Sequence, residues 1–313
     1  MAKYILKRVL EAVVLLFIIV SIVFVMIRMM PKDGYFGEDA NNLTPEQKEA
    51  ILDAMGLNDP ILVQLGRFYK ELFHGDLGES LIYRPNVPVS EILADKVPYS
   101  VAFGICAFIL SYLIGIPMGV AMALYRGKIP DKLGTVYIVI VNAVPAAVYF
   151  LFIQIYFTDL LKIPMLFRLN DPRTWILPLI CMSLGGIANH SLWIRRFVVD
   201  ELNKDYIKLA VAKGMPRKSI MFKHVLKNAF VPLSHNLPAQ LLLQIGGSIY
   251  IESLYSIPGM GGLLVTAVQR QDNPLVQSLV LIFSAIGVFG MLLGDLLMAA
   301  LDPRIKLVRG GNR

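Results

Sequence analysis

The segment DYIKLAVAKGMPRKSIMFKHVLKNAFVPL, residues Asp205–Leu233, is basic and helix-forming and lies between two membrane-length apolar runs. Ala210 and Gly214 are four residues apart in its first part and predict a small-residue face that another backbone can approach closely. Because proline cannot continue a preceding helix but can begin a new one, Met215-Pro216 predicts a sharp turn. We therefore expect a helix, a turn, and a second helix that leads into the next membrane span.

The second helix of this segment is expected to be amphipathic as far as Phe230. Its basic side carries Lys218, Lys223 and Lys227. Its apolar side carries Ile220, Phe222, Val225, Leu226 and Ala229. A basic amphipathic helix can also lie on anionic lipid, and the residues alone leave that interpretation open.

The composition is that of a chain whose main solvent is lipid. The 313 residues are 56% hydrophobic and 17% charged, and the mean hydropathy is +0.61. Six continuously apolar runs are long enough to cross a hydrocarbon core of about 30 Å, and they lack the alternation typical of barrel strands. We predict an all-α, polytopic membrane protein with six transmembrane helices at Val9–Met30, Tyr99–Tyr125, Leu133–Phe157, Trp175–Ile194, Val231–Ser253 and Pro274–Ala300.

The positions of Lys and Arg predict the orientation of these spans. Loops rich in Lys and Arg stay in the cytoplasm, so we expect both chain ends to be cytoplasmic. The net charge of +7 then belongs to the cytoplasmic face, where it can meet membrane lipid, and it need not mean nucleic-acid binding. The basic clusters are Lys3, Lys7 and Arg8; Arg126, Lys128 and Lys132; Arg195 to Lys227; and Arg304, Lys306, Arg309 and Arg313.

This orientation divides the chain into three parts. Residues 1–30 form a cytoplasmic segment and the first span, which we interpret as an uncleaved signal anchor. Residues 31–98 form an acidic extracytoplasmic segment with two short helices, one from Leu43 to Met55 and one from about Ile61 to Phe73. Thr44 is expected to cap the first of these and Gly56 to end it. Residues 99–313 form a five-helix core that contains the cytoplasmic loop 195–230.

No catalytic or metal-binding pattern is present in the sequence. The Gly127-Lys128 pair lacks the upstream glycine and the following Ser or Thr of a phosphate-binding loop. Cys106 and Cys181 both lie inside apolar runs, which makes a disulfide or cysteine metal site implausible. We expect no cofactor in this chain, and if ATP powers the protein, another chain binds it.

Polar residues recur every four positions along the predicted fifth span, at Asn236, Gln240, Gln244, Ser248 and Glu252. On a continuous helix they would form one slanted polar stripe, which must face protein or water because lipid does not tolerate it. The stripe either lines a hydrated translocation path or makes hydrogen bonds between helices.

Glycine and proline predict irregularities in two of the spans. The Gly246-Gly247 pair in the fifth span indicates either a bend or a close helix contact. Pro145, beside Asn142 in the third span, indicates a kink.

The segment Asp205–Leu233 resembles the cytoplasmic coupling loop in the membrane subunits of bacterial binding-protein-dependent ATP-binding cassette importers. It is most similar to the version in the oligopeptide, dipeptide and nickel permease family, in the subunit usually encoded first of the two. Lys208 and Leu209 stand where the generic pattern has Glu and Ala. Four further stretches match that subunit: YILKRVL at Tyr4–Leu10, GDLGES at Gly75–Ser80 followed by Pro88-Val89, IESLYSIPGMGGLL at Ile251–Leu264, and LDPRIKL at Leu301–Leu307.

The resemblance implies a type I importer permease fold in a bacterial inner membrane, and a division of labour. A second, similar permease subunit would complete the path, two ATPase subunits that bind ATP and Mg²⁺ would dock on the cytoplasmic loops, and an extracytoplasmic protein would deliver the substrate. The chain itself would not be an enzyme. Pro258, Gly259 and Gly261 would belong to an outer gate. The residues that would couple to the ATPases are Asp205, Ala210, Lys213, Gly214, Met215, Pro216, Arg217 and Lys218.

Three alternatives bear on function. The first alternative stays within the family: the imported solute would be nickel or another small molecule instead of a peptide. No metal-ligand cluster in the sequence decides between these solutes. A secondary transporter or channel working alone is disfavoured, because the two halves show no repeat and no acidic pair for proton coupling. An intramembrane enzyme would need a nucleophile with its base, or a metal motif. We therefore expect a permease subunit that imports peptides.

Overall fold

The computed structural model describes residues 2–36 and 42–301. The basic C-terminal tail and most of the LDPRIKL motif lie outside the described residues. Apart from one pair of two-residue strands, all regular secondary structure in these residues is helical, so the all-α prediction is confirmed. The strands β1 (Glu79–Ser80) and β2 (Val87–Pro88) are antiparallel. The helices are α1 (Ala2–Arg28), α2 (Pro45–Ala54), α3 (Ile61–Phe73), α4 (Val89–Leu124), α5 (Ile129–Ala143), α6 (Ala146–Phe152), α7 (Thr158–Leu161), α8 (Ile176–Leu202), α9 (Asp205–Ala212), α10 (Arg217–Ile220), α11 (Leu226–Ile245), α12 (Ile249–Tyr255), α13 (Met260–Gln269) and α14 (Asn273–Leu301).

Four stretches of helix in the described part of the chain are long and apolar enough to cross a membrane, namely Ile5–Arg28, Val89–Leu124, Pro172–Leu202 and Asn273–Leu297. Two further stretches qualify only as broken pairs, Ile129–Ala143 with Ala146–Leu161 and Asn236–Tyr255 with Met260–Gln269. The chain is thus a multi-pass membrane protein with up to six spans. The third and fifth of the predicted spans are not the continuous helices that the sequence suggested.

Proline breaks the third span. The two halves meet at an angle of 107°. Pro145 has no amide hydrogen, and it forces Val144 into an extended conformation with ψ 130°. The predicted kink is therefore a full break between α5 and α6.

A glycine breaks the fifth span between α11 and α12. Gly247 has φ +91°, and a Cβ there would lie 2.3 Å from the Glu252 carboxylate, so only glycine fits. Ser248 then starts a new helix, because its hydroxyl accepts a hydrogen bond from the Ile251 amide at 3.3 Å. The Gly246-Gly247 pair therefore lies where the helix is interrupted, and the prediction of one continuous helix over Val231–Ser253 is wrong.

The described residues form two compact units. One comprises residues 2–6, 102–245 and 289–301, and the other comprises residues 7–36, 42–101 and 246–288. The core of the first unit includes Ile194, Val198, Ile207, Ile220 and Val225. The core of the second includes Ile27, Val89, Ile92, Met260, Leu275 and Leu279. The three-part division expected from the sequence stays a prediction.

Both short helices predicted in residues 31–98 are present, and α2 at Pro45–Ala54 lies inside the expected Leu43–Met55. Thr44 caps α2 in a reciprocal arrangement with Gln47, in which each side chain accepts a hydrogen bond from the other residue's amide. Gly56 ends the helix with φ +66°. The second helix, α3, spans Ile61–Phe73 as expected. These predictions are confirmed because they depend on local chemistry.

Candidate functional site

The predicted coupling segment, Asp205–Leu233, is a helix, a tight turn and a second helix, as expected. At the end of α9, the Gly214 amide donates to the Val211 carbonyl at 2.9 Å and the Met215 amide donates to the Ala210 carbonyl at 3.2 Å. This pair of hydrogen bonds is the Schellman arrangement, which requires a left-handed residue at its centre. Gly214 supplies it with φ +74°.

Most of the residues expected to couple to the ATPases are exposed. Asp205, Lys213, Gly214, Pro216, Arg217 and Lys218 are exposed, and Met215 is half-buried. No atom lies within 4 Å of a Cβ placed on Gly214. The turn therefore projects from its own unit, with two cations directly after it.

Ala210 does not lie on this exposed surface. It is buried at 8% exposure in the core of its unit, against Ile207 and Ile220. Of the two small residues, Gly214 is exposed and Ala210 packs against its own unit. The part of Ala210 in coupling stays a prediction.

The second helix differs from the predicted amphipathic pattern at Phe222. Residues Met221–Val225 form a π-helical turn, in which the Leu226 amide donates to the Met221 carbonyl. The extra residue in this turn shifts the register of the faces. Ile220, Val225 and Ala229 are buried as expected, but Phe222 is 70% exposed.

A polar cluster ties α9 to its neighbours. The Tyr206 hydroxyl donates to the Glu201 carboxylate. The Asn228 amide donates to the Tyr206 oxygen at 2.7 Å and to Glu201 at 3.2 Å. Burial and the adjacent Glu201 raise the pKa of Tyr206. Through these contacts, the end of α8 and the start of α11 hold α9 in place.

A buried ion pair fixes the loop after α4. Arg195 donates to both carboxylate oxygens of Asp131, at 2.6 and 3.0 Å, and the Gly127 amide donates to the same carboxylate at 2.8 Å. The Asp131 side chain is only 8% exposed. Sequence reasoning missed this pair, although an acidic residue in an otherwise basic loop was a signal for it.

The predicted polar stripe is divided between two helices. On α11, Asn236 is exposed. Gln240 accepts a hydrogen bond from Tyr112 at 3.0 Å, and Gln244 donates to the Met182 carbonyl at 3.3 Å. These two contacts join helices, which favours packing for Gln240 and Gln244 over lining a path.

Glu252 belongs to a buried network and does not face water. Its exposure is 0%. Its carboxylate accepts hydrogen bonds from the Ser100 hydroxyl at 2.9 Å, the Gly261 amide at 2.7 Å and the Gly262 amide at 3.1 Å. Within its own unit it holds the reversal between α12 and α13, which favours hydrogen bonding between helices over lining a hydrated path for Glu252.

The three residues expected in an outer gate lie in this reversal. Gly259 and Gly261 are buried and Pro258 is half-buried. A Cβ on Gly259 would lie 2.3 Å from the Glu252 carboxylate, and one on Gly261 would lie 2.7 Å from the Ile249 amide nitrogen. These glycines therefore permit close packing. Their part in a gate stays a prediction.

Asp272 is a further anchor that the sequence did not reveal. It is fully buried just before α14. Its carboxylate accepts from the Ser80 hydroxyl at 2.6 Å and from the Ile82 and Tyr83 amides at 3.1 and 2.9 Å. The loop after β1 is thus pinned to the start of the last helix.

Two family models together match nearly the whole chain. Residues 115–307 match the binding-protein-dependent transport system inner membrane component. Residues 1–104 match the N-terminal part of the corresponding membrane component.

Named relatives and a solved structure agree with these matches. The dipeptide transport system permease protein DppB of Lactococcus lactis is 32% identical over 98% of this chain and 100% of its own. The oligopeptide transport system permease protein OppB of Salmonella typhimurium is 33% identical over the same shares. A structure of the MetNI methionine transporter in inward-facing conformations has the same fold, with a TM-score of 0.52, 15% identity, and coverage of 68% of this chain and 97% of that one. The chain belongs to the family of binding-protein-dependent transport system inner membrane components.

Proposed function

We propose that this chain is one of two permease subunits of an ATP-driven importer of oligopeptides or dipeptides. The observation that carries the proposal is the full-length similarity to permeases named for dipeptide and oligopeptide transport. The substrate class is inferred from the names of these relatives.

The proposed subunit lies in the bacterial cytoplasmic membrane with both ends inside. Residues 31–98 then face an extracytoplasmic binding protein, and the basic loop 195–230 faces two ATPase subunits that bind ATP and Mg²⁺. This chain performs no hydrolysis. A second, similar permease subunit encloses the other half of the path.

The projecting turn at Gly214 is the proposed point of contact with an ATPase. Movement there reaches the membrane helices because α9 is hydrogen-bonded to the end of α8 and the start of α11 through Tyr206, Glu201 and Asn228. A rigid element of this kind can carry the coupling free energy between nucleotide state and path.

Purification from native membranes tests the assembly. The tagged chain is solubilised in mild detergent, and stoichiometric partners are identified together with their ATPase activity. We expect a second six-span subunit and one or two ATPases. An ATPase-free homo-oligomer would contradict the proposal and favour a transporter or channel that works alone.

Uptake by cells that lack the gene then tests the substrate. Labelled di- and oligopeptides and ⁶³Ni²⁺ are supplied in parallel. Restored peptide uptake that depends on the chain supports the proposal, and restored nickel uptake alone assigns the other solute.

A further inference from the structure

A large apolar cavity lies within one unit, beside the coupling segment. Its volume is about 870 Å³, inside the range of roughly 300–1,000 Å³ that is typical of small-molecule sites. Its walls come from the end of α4, from α9 and from the segment after the turn, and include Val120, Leu124, Val211 and Phe222. Several of these side chains are open to the surroundings: Leu124 is 51%, Val211 60% and Phe222 70% exposed.

The charge at the cavity has one sign. Arg217 and Lys218 line it, and none of the described lining residues is acidic. Both cations are exposed, so their charged ends can meet a ligand at the rim. The combination of an apolar interior and a cationic rim fits a molecule with a hydrocarbon part and an anionic head.

We propose that the cavity holds one anionic phospholipid of the cytoplasmic leaflet. An acyl chain lies between α4 and the segment 217–226, and the phosphate lies at Arg217 and Lys218. Lipid is the fitting occupant because Leu124 ends a membrane-crossing helix, so the cavity adjoins the hydrocarbon region, and basic pockets at the cytoplasmic side of helices suit anionic headgroups. The inference uses only the orientation in the proposed function, not the substrate.

The position of the cavity connects lipid binding to the turn at Gly214. The same walls include Ile207 of α9 and Ile220 of α10, the two helices that flank the projecting turn. A lipid bound in the cavity therefore packs against the inner side of the turn and supports it.

Lipid binding is measured on the purified full chain after delipidation. Phosphatidylglycerol and phosphatidylcholine with identical acyl chains are titrated while thermal unfolding is followed. We expect saturable stabilisation by phosphatidylglycerol and none by phosphatidylcholine. Equal stabilisation by both lipids would overturn the proposal, because binding would then need no anionic headgroup. Equal stabilisation by water-soluble glycerol phosphate would also overturn it, because binding would then need no acyl chain.

Two sets of variants locate the site. Arg217→Gln with Lys218→Gln is expected to weaken phosphatidylglycerol binding by roughly fivefold for each lost charge. The matched control is Lys128→Gln with Lys132→Gln, which removes two exposed cations that do not line the cavity and should leave binding unchanged. Ala121→Phe narrows the cavity without changing charge and should abolish binding. Equal losses in the charge variant and its control would show only general attraction to a basic face and would overturn the proposal.

Cross-linking in the assembled complex identifies the occupant directly. A photoreactive phenylalanine analogue is placed at Phe222 and, in a second sample, at Phe289, which is 56% exposed on α14. In nanodiscs that contain both lipids, we expect phosphatidylglycerol to be enriched at position 222 relative to position 289. Cross-linking of a partner subunit at position 222 would overturn the proposal and assign the cavity to a protein interface. None of these lipid-binding experiments requires transport. A negative lipid-binding result therefore leaves the proposed function intact, and a negative peptide-uptake result leaves the lipid-binding experiments valid.

Discussion

Ser100 and Glu252 are joined by a buried hydrogen bond of 2.9 Å, although 152 positions separate them in the chain. The Ser100 oxygen also accepts a hydrogen bond from the Met260 amide at 2.8 Å. One carboxylate and one hydroxyl thus fix α4, α12 and the start of α13 within one unit.

Removal of the Glu252 carboxylate should destabilise the protein. Glu252→Ala leaves the Gly261 and Gly262 amides buried without their acceptor, and an unsatisfied buried donor costs about 1–3 kcal/mol. Thermal unfolding of the purified chain measures the loss. Glu91→Ala, at an exposed acidic residue in the first turn of α4, is the control. Equal melting temperatures for the two variants would show that the network contributes nothing.

Bulk at the projecting turn should block coupling. Gly214→Trp is expected to abolish ATP-driven uptake while membrane insertion stays intact, because the indole would occupy the surface at which we propose that an ATPase docks. Gly127→Trp is a matched control, since Gly127 has φ +76°, against +74° for Gly214, and neither has an atom within 4 Å of its Cβ position. Backbone strain is therefore similar, about 1–2 kcal/mol.

Uptake and membrane abundance of both variants are compared. Loss of uptake only for the Gly214 variant assigns the effect to docking. Normal uptake by that variant would remove the coupling role from this turn, and equal loss in both would attribute the effect to strain.

Breaking the Asp131–Arg195 pair should destabilise the loop after α4. Arg195→Ala leaves a largely buried carboxylate without its guanidinium, and we expect a loss of about 3 kcal/mol, at the low end for buried pairs because the Arg195 side chain is 30% exposed. Arg195→Lys should restore only part of the lost stability, because an ammonium group does not reproduce the bidentate contact of the guanidinium.

The Asp159–Lys162 pair provides the comparison. Its side chains are 84% and 80% exposed, so Asp159→Ala should cost less than about 1 kcal/mol. Thermal unfolding of all three variants is measured, and a similar small loss for Arg195→Ala would contradict a stabilising role for the buried pair.

Thiol labelling can separate a hydrated path from helix packing on α11. In a chain with Cys106 and Cys181 replaced by alanine, Asn236→Cys should react with a charged, water-soluble thiol reagent if it faces the path. Leu243→Cys, at a residue 59% exposed on the same helix, should stay unreactive because lipid surrounds it. Labelling of both positions, or of neither, would contradict the path assignment for Asn236.

The local elements could be predicted from the sequence because the forces that set them act over a few residues. The turn at Gly214 follows from the freedom of glycine to adopt positive φ and from the inability of proline to continue a helix. The bounds of α3 and the cap at Thr44 likewise depend on residues that are close together in the sequence. The apolar runs likewise determined a multi-pass membrane protein, since a hydrocarbon solvent admits long apolar helices.

The tertiary structure decided what these elements do together. A four-residue repeat indicated that Glu252 continues the polar stripe, but the break at Gly247 and the distant Ser100 made it a buried anchor. Similarly, the π-helical turn places Phe222 at the surface. Asp131 forms its ion pair with Arg195, which is 64 positions away in the sequence. These outcomes depend on which distant groups meet when the chain packs. Propensity and periodicity describe only neighbours along the sequence, so they carry no information about such encounters.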